Sequence, residues 1–278
     1  MTRVSGAIQQ EKLHPTDNVG IFRIYSDGSI ERTSDKVVTE VPVTIMIDRV
    51  GSFTVMCTPS DIEALAIGFI FSEGMISSTD EVIGTHTKAE LPNVVGIKIQ
   101  DPAKVAIGRN LIVASSCGMC GVRNIEKMIQ TTRPSGQTLR ITSRLIAETM
   151  QRLRRLQHIF SLTGGSHGAA IFDGSGEIIS FAEDIGRHNA MDKAIGKCLL
   201  AGRATESHCV ALSGRVSLEM VAKAAKAGIE LVAGVSAVSS YAVYASEKWN
   251  ITLCGFVRPD KINVYTRPER VIDHAELG

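Results

Sequence analysis

Two cysteines lie close together in a glycine-containing segment, and they have the clearest potential for chemistry in this sequence. Cys117 and Cys120 are separated by two residues within Ser115-Ser116-Cys117-Gly118-Met119-Cys120-Gly121. Thiols at this spacing can share a metal ion, close a small disulfide ring, or act in turn when one thiol resolves a reaction begun at the other. A helix beginning near Val122 would place its positive N-terminal end beside the pair and, with Arg123, would favour the nucleophilic thiolate.

The residues alone leave four interpretations of this pair open. A structural zinc site needs about four ligands, and the chain has no second CxxC, so His167, His188 or a second subunit would have to complete it. A thioredoxin-like redox pair is expected near a strand–helix turn, whereas this pair is predicted in a long loop. In the third interpretation the two cysteines lie at the surface and have no role. In the fourth, a cysteine carries sulfur as a persulfide, and it must reach first the sulfur donor and then the sulfur acceptor.

The other four of the six cysteines are interpreted as packing residues, and they are Cys57, Cys198, Cys209 and Cys254. They lie in predicted strands or helices with apolar neighbours, where cysteine behaves as a small hydrophobic residue. The sequence thus divides its thiols into one reactive pair and four predicted core residues.

Two further clusters place polar residues at the ends of predicted strands. Thr163-Gly164-Gly165-Ser166-His167-Gly168 precedes a strand, and Glu183-Asp184-Ile185-Gly186-Arg187-His188 opens a helix. The helix N-terminus with Arg187 and His188 suits an anion or a base-binding group, although capping and loop hydrogen bonds would use the same residue types. Ser213-Gly214-Arg215 closes the next strand, where open α/β sheets bind ligands.

A turn near the C-terminus carries two cations beside an aromatic residue. It follows a predicted strand and reads Gly255-Phe256-Val257-Arg258-Pro259-Asp260-Lys261. Arg258 and Lys261 could hold phosphates, and Phe256 could stack on a base. A polar β-turn with solvated charges is the alternative interpretation of the same residues.

The elements that must position these residues begin with a β-rich first half. Residues 21–57 have a strand-like pattern, with alternating apolar residues at Val41, Val43, Ile45 and Ile47. A helix is predicted from a Thr58 cap, with Pro59 at the first helical position, to a stop at Gly74. A strand is predicted over 94–99, and residues 101–121 are predicted to form the long loop that holds the cysteine pair.

The second half alternates helices with strands. An amphipathic helix over 143–158 and a hairpin over 168–181 come first. They are followed by predicted helices over 188–201, 218–227 and 239–249 and by predicted strands over 209–213, 230–233, 251–256 and 262–266. Two or more βαβ units predict parallel strands with helices on both faces of the sheet. The predicted fold class is therefore α/β, with some α+β character.

Three segments describe the predicted domain organisation. Residues 1–20 are expected to be a flexible arm, residues 21–135 a β-rich part that contains the cysteine loop, and residues 136–278 an α/β domain. The boundary is expected near 130–142, where Arg133-Pro134-Ser135-Gly136 interrupts the pattern.

Composition excludes several classes of function. The chain has 278 residues, a formal net charge of +1, 44% hydrophobic residues and 21% charged residues, which is ordinary for a globular protein. Because positive and negative residues are almost equal in number, the sequence gives no support for broad electrostatic binding to nucleic acid or to an anionic membrane. No apolar leader and no run of about 18 apolar residues is found, which predicts a cytoplasmic location with reduced thiols.

Taken together, the motifs resemble those of the FdhD family, the formate dehydrogenase accessory sulfurtransferases. The similarity extends over nearly the whole chain after the arm. It rests on Glu40-Val41-Pro42, Ser72-Glu73-Gly74, the Cys117–Gly121 segment, Thr163–His167, Glu183–Lys193, Ser213–Arg215 and Gly255-Phe256.

The resemblance implies a sulfur-transfer function. Family members are expected to accept sulfur from a cysteine desulfurase as a cysteine persulfide and to deliver it to the molybdenum (or tungsten) bis(molybdopterin guanine dinucleotide) cofactor that formate dehydrogenase requires. The resemblance implies that Cys117 forms the persulfide and that Cys120 is a helper or a second carrier. The cofactor-binding segment is carried over to Phe256, Val257, Arg258, Pro259, Asp260 and Lys261, and the further anion-binding candidates are His167, Arg187, His188, Ser213 and Arg215.

The resemblance also implies a homodimer without a permanent metal and a C-terminal core similar to the cytidine deaminase fold. Zinc deaminases need His-x-Glu or Cys-x-Glu and a later Pro-Cys-x-x-Cys. Here Asn189-Ala190 follow His188, and residues 213–218 contain no cysteine, so deaminase chemistry is not expected. The alternative function is a zinc-stapled binding module that escorts a client enzyme without transferring sulfur.

Overall fold

The structure is a computed structural model that describes residues 14–88, 91–105, 111–113, 129–130, 132 and 134–272. Within these residues a first part rich in strands is followed by a second part that mixes helices with strands, and the strands build two main sheets. This arrangement confirms the α/β class. Cys117 and Cys120 lie outside the described residues, as does Val122, where a helix was predicted to begin. The three-part division of the chain and the likeness to a deaminase core stay predictions.

The N-terminal sheet has five strands in the order β5-β6-β3-β4-β7. Its strands are β3 (Val41–Ile47), β4 (Gly51–Cys57), β5 (Val82–Lys88), β6 (Leu91–Ile99) and β7 (Leu111–Val113). The predicted alternation is confirmed, since the four apolar residues of β3 are buried and their neighbours are not. The short strand β7 pairs parallel with β4, so residues 101–121 are not one continuous loop as predicted.

The C-terminal sheet has six strands in the order β10-β9-β11-β12-β13-β14. They are β9 (His167–Phe172), β10 (Ile178–Asp184), β11 (Cys209–Leu212), β12 (Leu231–Gly234), β13 (Thr252–Gly255) and β14 (Asn263–Thr266). The three central strands β11, β12 and β13 run parallel, as predicted. The outer strands β9, β10 and β14 are joined by antiparallel pairing.

Helices cover both faces of this sheet. The helices are α1 (Ile62–Ser72), α2 (Ser143–Leu156), α3 (His158–Thr163), α4 (Arg187–Leu200), α5 (Leu218–Lys226) and α6 (Ser240–Lys248). Side chains such as Ile171 and Leu212 pack on one face with α1, α4, α5 and α6. Their neighbours Phe172 and Cys209 point to the opposite face and pack with α2. The period-two alternation of each strand thus serves two separate apolar cores.

Helices α1 and α4 approach each other at two glycines. A Cβ placed on Gly68 would overlap the Asp192 carbonyl, and a Cβ placed on Gly196 would overlap the Ala64 carbonyl. Residues 64–71 of α1 are all buried, so this helix is enclosed on every side. The crossing brings the helix that follows the N-terminal hairpin β3–β4 directly against the helix that carries Arg187 and His188.

Two predicted boundaries at the N-terminus are wrong. The flexible arm was expected to reach residue 20, but β1 begins at Thr16 (Thr16–Ile24) because it pairs along its length with β2 (Ile30–Val38). Helix α1 begins at Ile62 rather than at Pro59. Thr58 does not cap it: its Oγ1 accepts a hydrogen bond from the Ile185 backbone N–H at 3.0 Å.

The helix predicted over 143–158 is confirmed as α2, which ends at Leu156, and a separate helix that was not predicted, α3, begins at His158. Thr142 caps α2 by accepting the Leu145 N–H at 3.2 Å. Gln157 is buried between α2 and α3 and leaves the helical conformation, so the chain turns there. A two-stranded parallel pair, β8 (Ile141–Thr142) with β15 (Val271–Ile272), joins the start of this region to the end of the described chain.

Candidate functional site

One edge of the C-terminal sheet gathers the strand ends that the sequence singled out. The parallel strands β11, β12 and β13 all end there, β10 also ends there, and β9 and β14 begin there. This edge therefore brings together His167, Asp184, Ser213–Arg215, residues 235–236 and Phe256–Lys261, with the N-terminus of α4. Crevices outside the carboxyl ends of parallel strands are the usual ligand sites of open α/β sheets.

His167 stands at the first position of β9 and is half-buried. The strand start is held by Ser213, whose Oγ accepts the Gly168 N–H at 2.8 Å and whose N–H donates to the Gly168 carbonyl at 3.0 Å. A Cβ on Gly214 would lie 3.2 Å from His167 Nδ1, so this glycine leaves room for the imidazole ring. Ser213 and Gly214 thus position the histidine.

Burial and nearby cations lower the pKa of His167. Burial is the largest cause, the positive charges of Arg187 and Arg215 act in the same direction, and the Asp184 carboxylate opposes them. The ring is therefore neutral at neutral pH, with one nitrogen that donates and one that accepts a hydrogen bond. These couplings also indicate that the two arginines and the histidine share one electrostatic environment.

Asp184, the last residue of β10, is buried and holds the N-terminus of α4 in place. Its Oδ1 accepts the Gly186 N–H at 2.8 Å and the Asn189 Nδ2 at 2.9 Å. Asn189 Nδ2 also donates to the Met56 carbonyl at 2.8 Å, at the end of β4. The sequence suggested that Asp184 serves capping and loop hydrogen bonds, and the structure confirms this role.

A buried lysine completes the same cluster. Lys193 Nζ lies 2.6 Å from Asp184 Oδ2 and donates to the Thr58 carbonyl at 2.9 Å, while the Thr58 N–H donates to Asp184 Oδ2 at 3.0 Å. Both charged side chains are fully buried. The cluster therefore joins the segment after β4 to the segment that carries Arg187. It was missed from the sequence, where Lys193 lies in a helix with a predicted apolar face.

Glu183 fixes the loop that leads into His167. Its buried carboxylate accepts the N–H groups of Ile159 and Phe160 at 3.0 and 2.9 Å and the Ser166 hydroxyl at 2.7 Å. Because α3 begins at His158, these bonds satisfy the free N–H groups of its first turn. Polar residues of both predicted clusters, such as Glu183 and Asp184, thus hold the backbone in place.

The cations at this edge are available to a ligand. Arg187 is half-buried at the first position of α4, and its Nε is buried with no hydrogen-bond partner among the described residues. The Ser217 hydroxyl at the start of α5 is likewise buried and unpartnered within the described part of the chain. Arg215 is exposed. Buried polar groups without partners are unusual, and here they lie near the open end of the sheet.

The turn after β13 presents an aromatic ring and two cations. Phe256 has φ 50°, its N–H donates to the Ser236 carbonyl at 3.0 Å, and its side chain is 39% exposed. Arg258 Nη1 donates to the Val235 and Val257 carbonyls at 2.6 and 2.8 Å, which orients its guanidinium over the end of β12. Phe256 and Arg258 are thereby held at the strand ends.

The other residues of this turn have different roles. The Val257 side chain is 2% exposed and packs in the core, so it anchors the turn and does not face a ligand. Pro259, Asp260 and Lys261 are exposed, and the Lys261 carbonyl closes the turn by accepting the Arg258 N–H at 2.8 Å. His188, at the second position of α4, is half-buried.

The four cysteines that the structure describes confirm the packing interpretation. Cys57, Cys198, Cys209 and Cys254 are free thiols with at most 1% exposure. Burial raises the pKa of all four thiols, to about 12 for Cys57 and Cys254. Thiols of this kind are inert at neutral pH. No group of three or more metal-ligating side chains is found among the described residues, nor does any helix in them have the length and apolarity to cross a membrane.

The arrangement at this sheet edge suits a ligand with negative charge and an aromatic base. Arg187, Arg215 and Arg258 can pair with phosphate oxygens through several N–H donors. The exposed Phe256 ring offers a stacking surface, and the neutral His167 can accept or donate one hydrogen bond.

Comparison with known proteins shows that most of this chain is similar to members of one family. The model of the FdhD/NarQ family matches residues 38–272. The sulfur carrier protein FdhD of Streptomyces coelicolor is 36% identical over 280 residues, which cover 95% of this chain and 98% of that protein. The protein of the same name from Sulfurisphaera tokodaii is 38% identical over 259 residues, which cover 91% of this chain and 98% of that protein.

A solved structure supports the fold. The crystal structure of a proposed formate dehydrogenase accessory protein from Desulfotalea psychrophila matches with a TM-score of 0.75 at 22% identity, over 93% of this chain and 100% of that chain. The likeness extends over both sheets of the present structure. With the family model matching 38–272 and these relatives, the chain belongs to the FdhD/NarQ family.

Proposed function

We propose that the protein is a sulfur carrier that serves a formate dehydrogenase. The observation that carries this proposal is the convergence of His167, Arg187, Arg215 and Phe256–Lys261 at one sheet edge, in a chain whose relatives are named sulfur carrier proteins. In this function Cys117 or Cys120 takes sulfane sulfur from a cysteine desulfurase in the cytoplasm. The sheet edge holds the acceptor, the molybdenum or tungsten bis(molybdopterin guanine dinucleotide), as cargo.

The proposed loading step is a thiolate attack. The Cys117 thiolate attacks the terminal sulfur of the desulfurase persulfide, a new S–S bond forms on Cys117, and the desulfurase cysteine leaves as its thiolate. No external oxidant or reductant is needed, because the sulfane sulfur moves between two thiols at the same oxidation level. In the second step the S–S bond of the persulfide breaks, its electron pair stays on Cys117, which leaves as a thiolate, and the sulfane sulfur bonds to the cargo, which supplies the two electrons of the new bond.

Nothing in the described chain competes with the pair for this step. The four other thiols are buried with raised pKa values, so a persulfide donor reaches none of them. At the acceptor side, the guanine dinucleotide parts of the cargo carry phosphates and bases. The arginines and Phe256 of the sheet edge provide complementary chemistry.

Sulfur loading tests the donor half of the proposal. Incubation with a cysteine desulfurase and cysteine is expected to add the mass of one or more sulfur atoms to the intact protein, and peptide mapping is expected to locate them on Cys117 or Cys120. The double variant Cys117→Ser/Cys120→Ser retains the four buried thiols and is the matched control. Sulfur that fails to add to the natural chain, or that still adds to the double variant, would contradict the proposal.

The same variants separate this function from a zinc-stapled module. Two measurements distinguish the functions: the zinc content of the natural protein and the stability of the Cys117→Ser variant to unfolding. Stoichiometric zinc that is lost with the fold in Cys117→Ser would favour the module. Normal folding of the double variant, with an inactive client formate dehydrogenase, would favour the carrier.

Nucleotide binding tests the acceptor half. Arg258→Ala and Lys261→Ala are each expected to weaken GDP binding by about tenfold, because a hydrogen bond to a charged group contributes roughly 1.5–3 kcal/mol. Isothermal titration measures the change. Arg144→Ala is the control, since Arg144 is exposed on α2 and pairs with Glu148 at 2.7 Å away from this edge. Unchanged affinity in both turn variants would remove the turn from the site.

A further inference from the structure

A groove lies on the outer flank of the C-terminal sheet, between helix α2 and strand β10. Its volume is about 590 Å³, and the residues that line it come from the end of α2, the start of α3 and residues 178–181 of β10. β10 is the edge strand of this sheet, so no further strand of the described chain pairs with its outer side. The groove lies at the start of β10, whereas the candidate ligand site lies at its end, beside Asp184. It is therefore a separate surface.

Basic side chains line the helical side of this groove. Arg152 and Arg155 lie one turn apart on α2, His158 begins α3, and all three are exposed. Arg152 Nη1 donates to the Gly176 carbonyl at 2.6 Å, which holds its guanidinium at the turn between β9 and β10. The side chains of Arg155 and His158 have no hydrogen-bond or ion-pair partner in the described part of the chain. Because no described residue that lines the groove is a carboxylate, its positive charge is unbalanced.

The strand side of the groove is mainly apolar. Ile178, Ile179 and Phe181 line it, and Leu156 at the end of α2 adds to the same apolar surface. All four side chains are only half-buried. Ile178 and Phe181 pack against the core beneath α2 with part of their surface, and the rest faces the groove. A ligand that fills this groove must therefore present anionic groups to the helical side and apolar groups to the strand side.

The backbone of β10 is protected against the addition of another strand. Lys197 Nζ donates to the Phe181 carbonyl at 3.0 Å and also pairs with Asp61 at 2.7 Å. A lysine placed at an edge strand is one of the devices that prevent edge-to-edge pairing. A partner in this groove is therefore recognised by its side chains, through the arginines and the apolar surface, and not by extension of the sheet.

We infer that this groove binds an extended acidic segment of a partner protein, in which carboxylate side chains alternate with apolar side chains. Successive side chains of an extended segment point to opposite sides, so its carboxylates face α2 while its apolar side chains face β10. Arginine side chains recognise acidic motifs in this way. A nucleic acid fits less well, because three basic side chains beside apolar residues offer few phosphate contacts. The inference does not depend on sulfur transfer.

Peptides of defined composition test the chemistry of the partner. The probe is a short fluorescein-labelled peptide in which glutamate alternates with valine, and fluorescence anisotropy measures its dissociation constant with the full-length protein. Two matched peptides carry lysine in place of glutamate or serine in place of valine. Each is expected to bind about tenfold more weakly or less, because the first loses the attraction to the arginines and the second loses the apolar contacts.

A charge reversal tests the location. Arg155→Glu is expected to weaken binding of the glutamate–valine peptide about tenfold or more, because it places a carboxylate opposite those of the peptide. Arg144→Glu makes the same charge change on the same helix and is the control, since Arg144 pairs with Glu148 at 2.7 Å and does not line the groove. Circular dichroism establishes that both variants are folded. GDP affinity is expected to be unchanged in Arg155→Glu, because the groove is separate from the candidate ligand site.

Several results would overturn the inference. They are no detectable binding of the glutamate–valine peptide, equal binding of the three peptides, or equal weakening by the two arginine variants. Displacement of the peptide by GDP at the dissociation constant of GDP would place the peptide at the candidate ligand site instead. Inorganic phosphate or a single-stranded oligonucleotide that displaces the probe as well as unlabelled peptide does would make the groove a general anion site. None of these measurements involves Cys117 or Cys120, so failure of sulfur loading is distinguishable from failure of this inference.

Discussion

Replacement of Gly196 by alanine is expected to destabilise the protein by about 3 kcal/mol or more, because the added methyl group has no space at the crossing of α1 and α4. The new Cβ would overlap the Ala64 carbonyl of α1. A backbone atom cannot move aside by changing rotamer, so the two helices must separate and lose packing along their whole crossing. Alanine's better helix propensity, worth about 1 kcal/mol, offsets only part of this loss.

Urea unfolding measures this effect against a matched substitution. The control is Gly84→Ala in β5, because no atom lies within 4 Å of a Cβ placed on Gly84. The control is expected to leave the unfolding midpoint nearly unchanged. A Gly196→Ala midpoint equal to that of the control would mean that α1 and α4 do not cross at these glycines.

Lys193→Met is expected to destabilise the protein by about 3–5 kcal/mol, because it leaves the buried Asp184 carboxylate without its cation. Lys193 Nζ and Asp184 Oδ2 are 2.6 Å apart and both side chains are fully buried. The variant also removes a donor to the Thr58 carbonyl. Because Asp184 sets the backbone ahead of Arg187, we expect GDP affinity to fall along with the free energy of unfolding.

Two comparisons isolate the ion pair. Lys197→Met removes a lysine one turn later in α4, whose pair with Asp61 at 2.7 Å is about one-third exposed, and such pairs contribute about 0–1 kcal/mol. The double variant Asp184→Asn/Lys193→Met removes both charges and is expected to be more stable than Lys193→Met alone. Equal losses for Lys193→Met and Lys197→Met would show that burial of the pair does not matter.

Local patterns were sufficient for most elements of the fold. The alternation in β3, the stop at Gly74 and the hairpin around residues 173–176 each depend on neighbours in sequence, and the structure has all three. The parallel order of β11, β12 and β13 follows from their connecting helices. The same order determined which strand ends meet, so the clustering of His167, Ser213 and Phe256 at one edge was accessible from the sequence.

The errors have long-range causes. Thr58 has the type and place of a helix cap, but its hydroxyl bonds to Ile185, 127 residues away, and α1 begins later. Gln157 fits a continuous helix locally, yet it is buried where α2 and α3 meet. Lys193 was not expected to be buried because α4 was treated as one-sided, whereas α1 covers the side that the sheet does not. No pattern within ten residues reports such contacts.

Phe256, in the turn after β13, has a backbone conformation that is unfavourable for a residue other than glycine. A non-glycine residue at φ 50° stores about 1–3 kcal/mol of strain, and glycine would adopt the same conformation freely. The chain instead holds an aromatic ring there, partly exposed and outside both cores. In the function that we propose, this strain is the cost of presenting an aromatic ring to a base of the bound cargo.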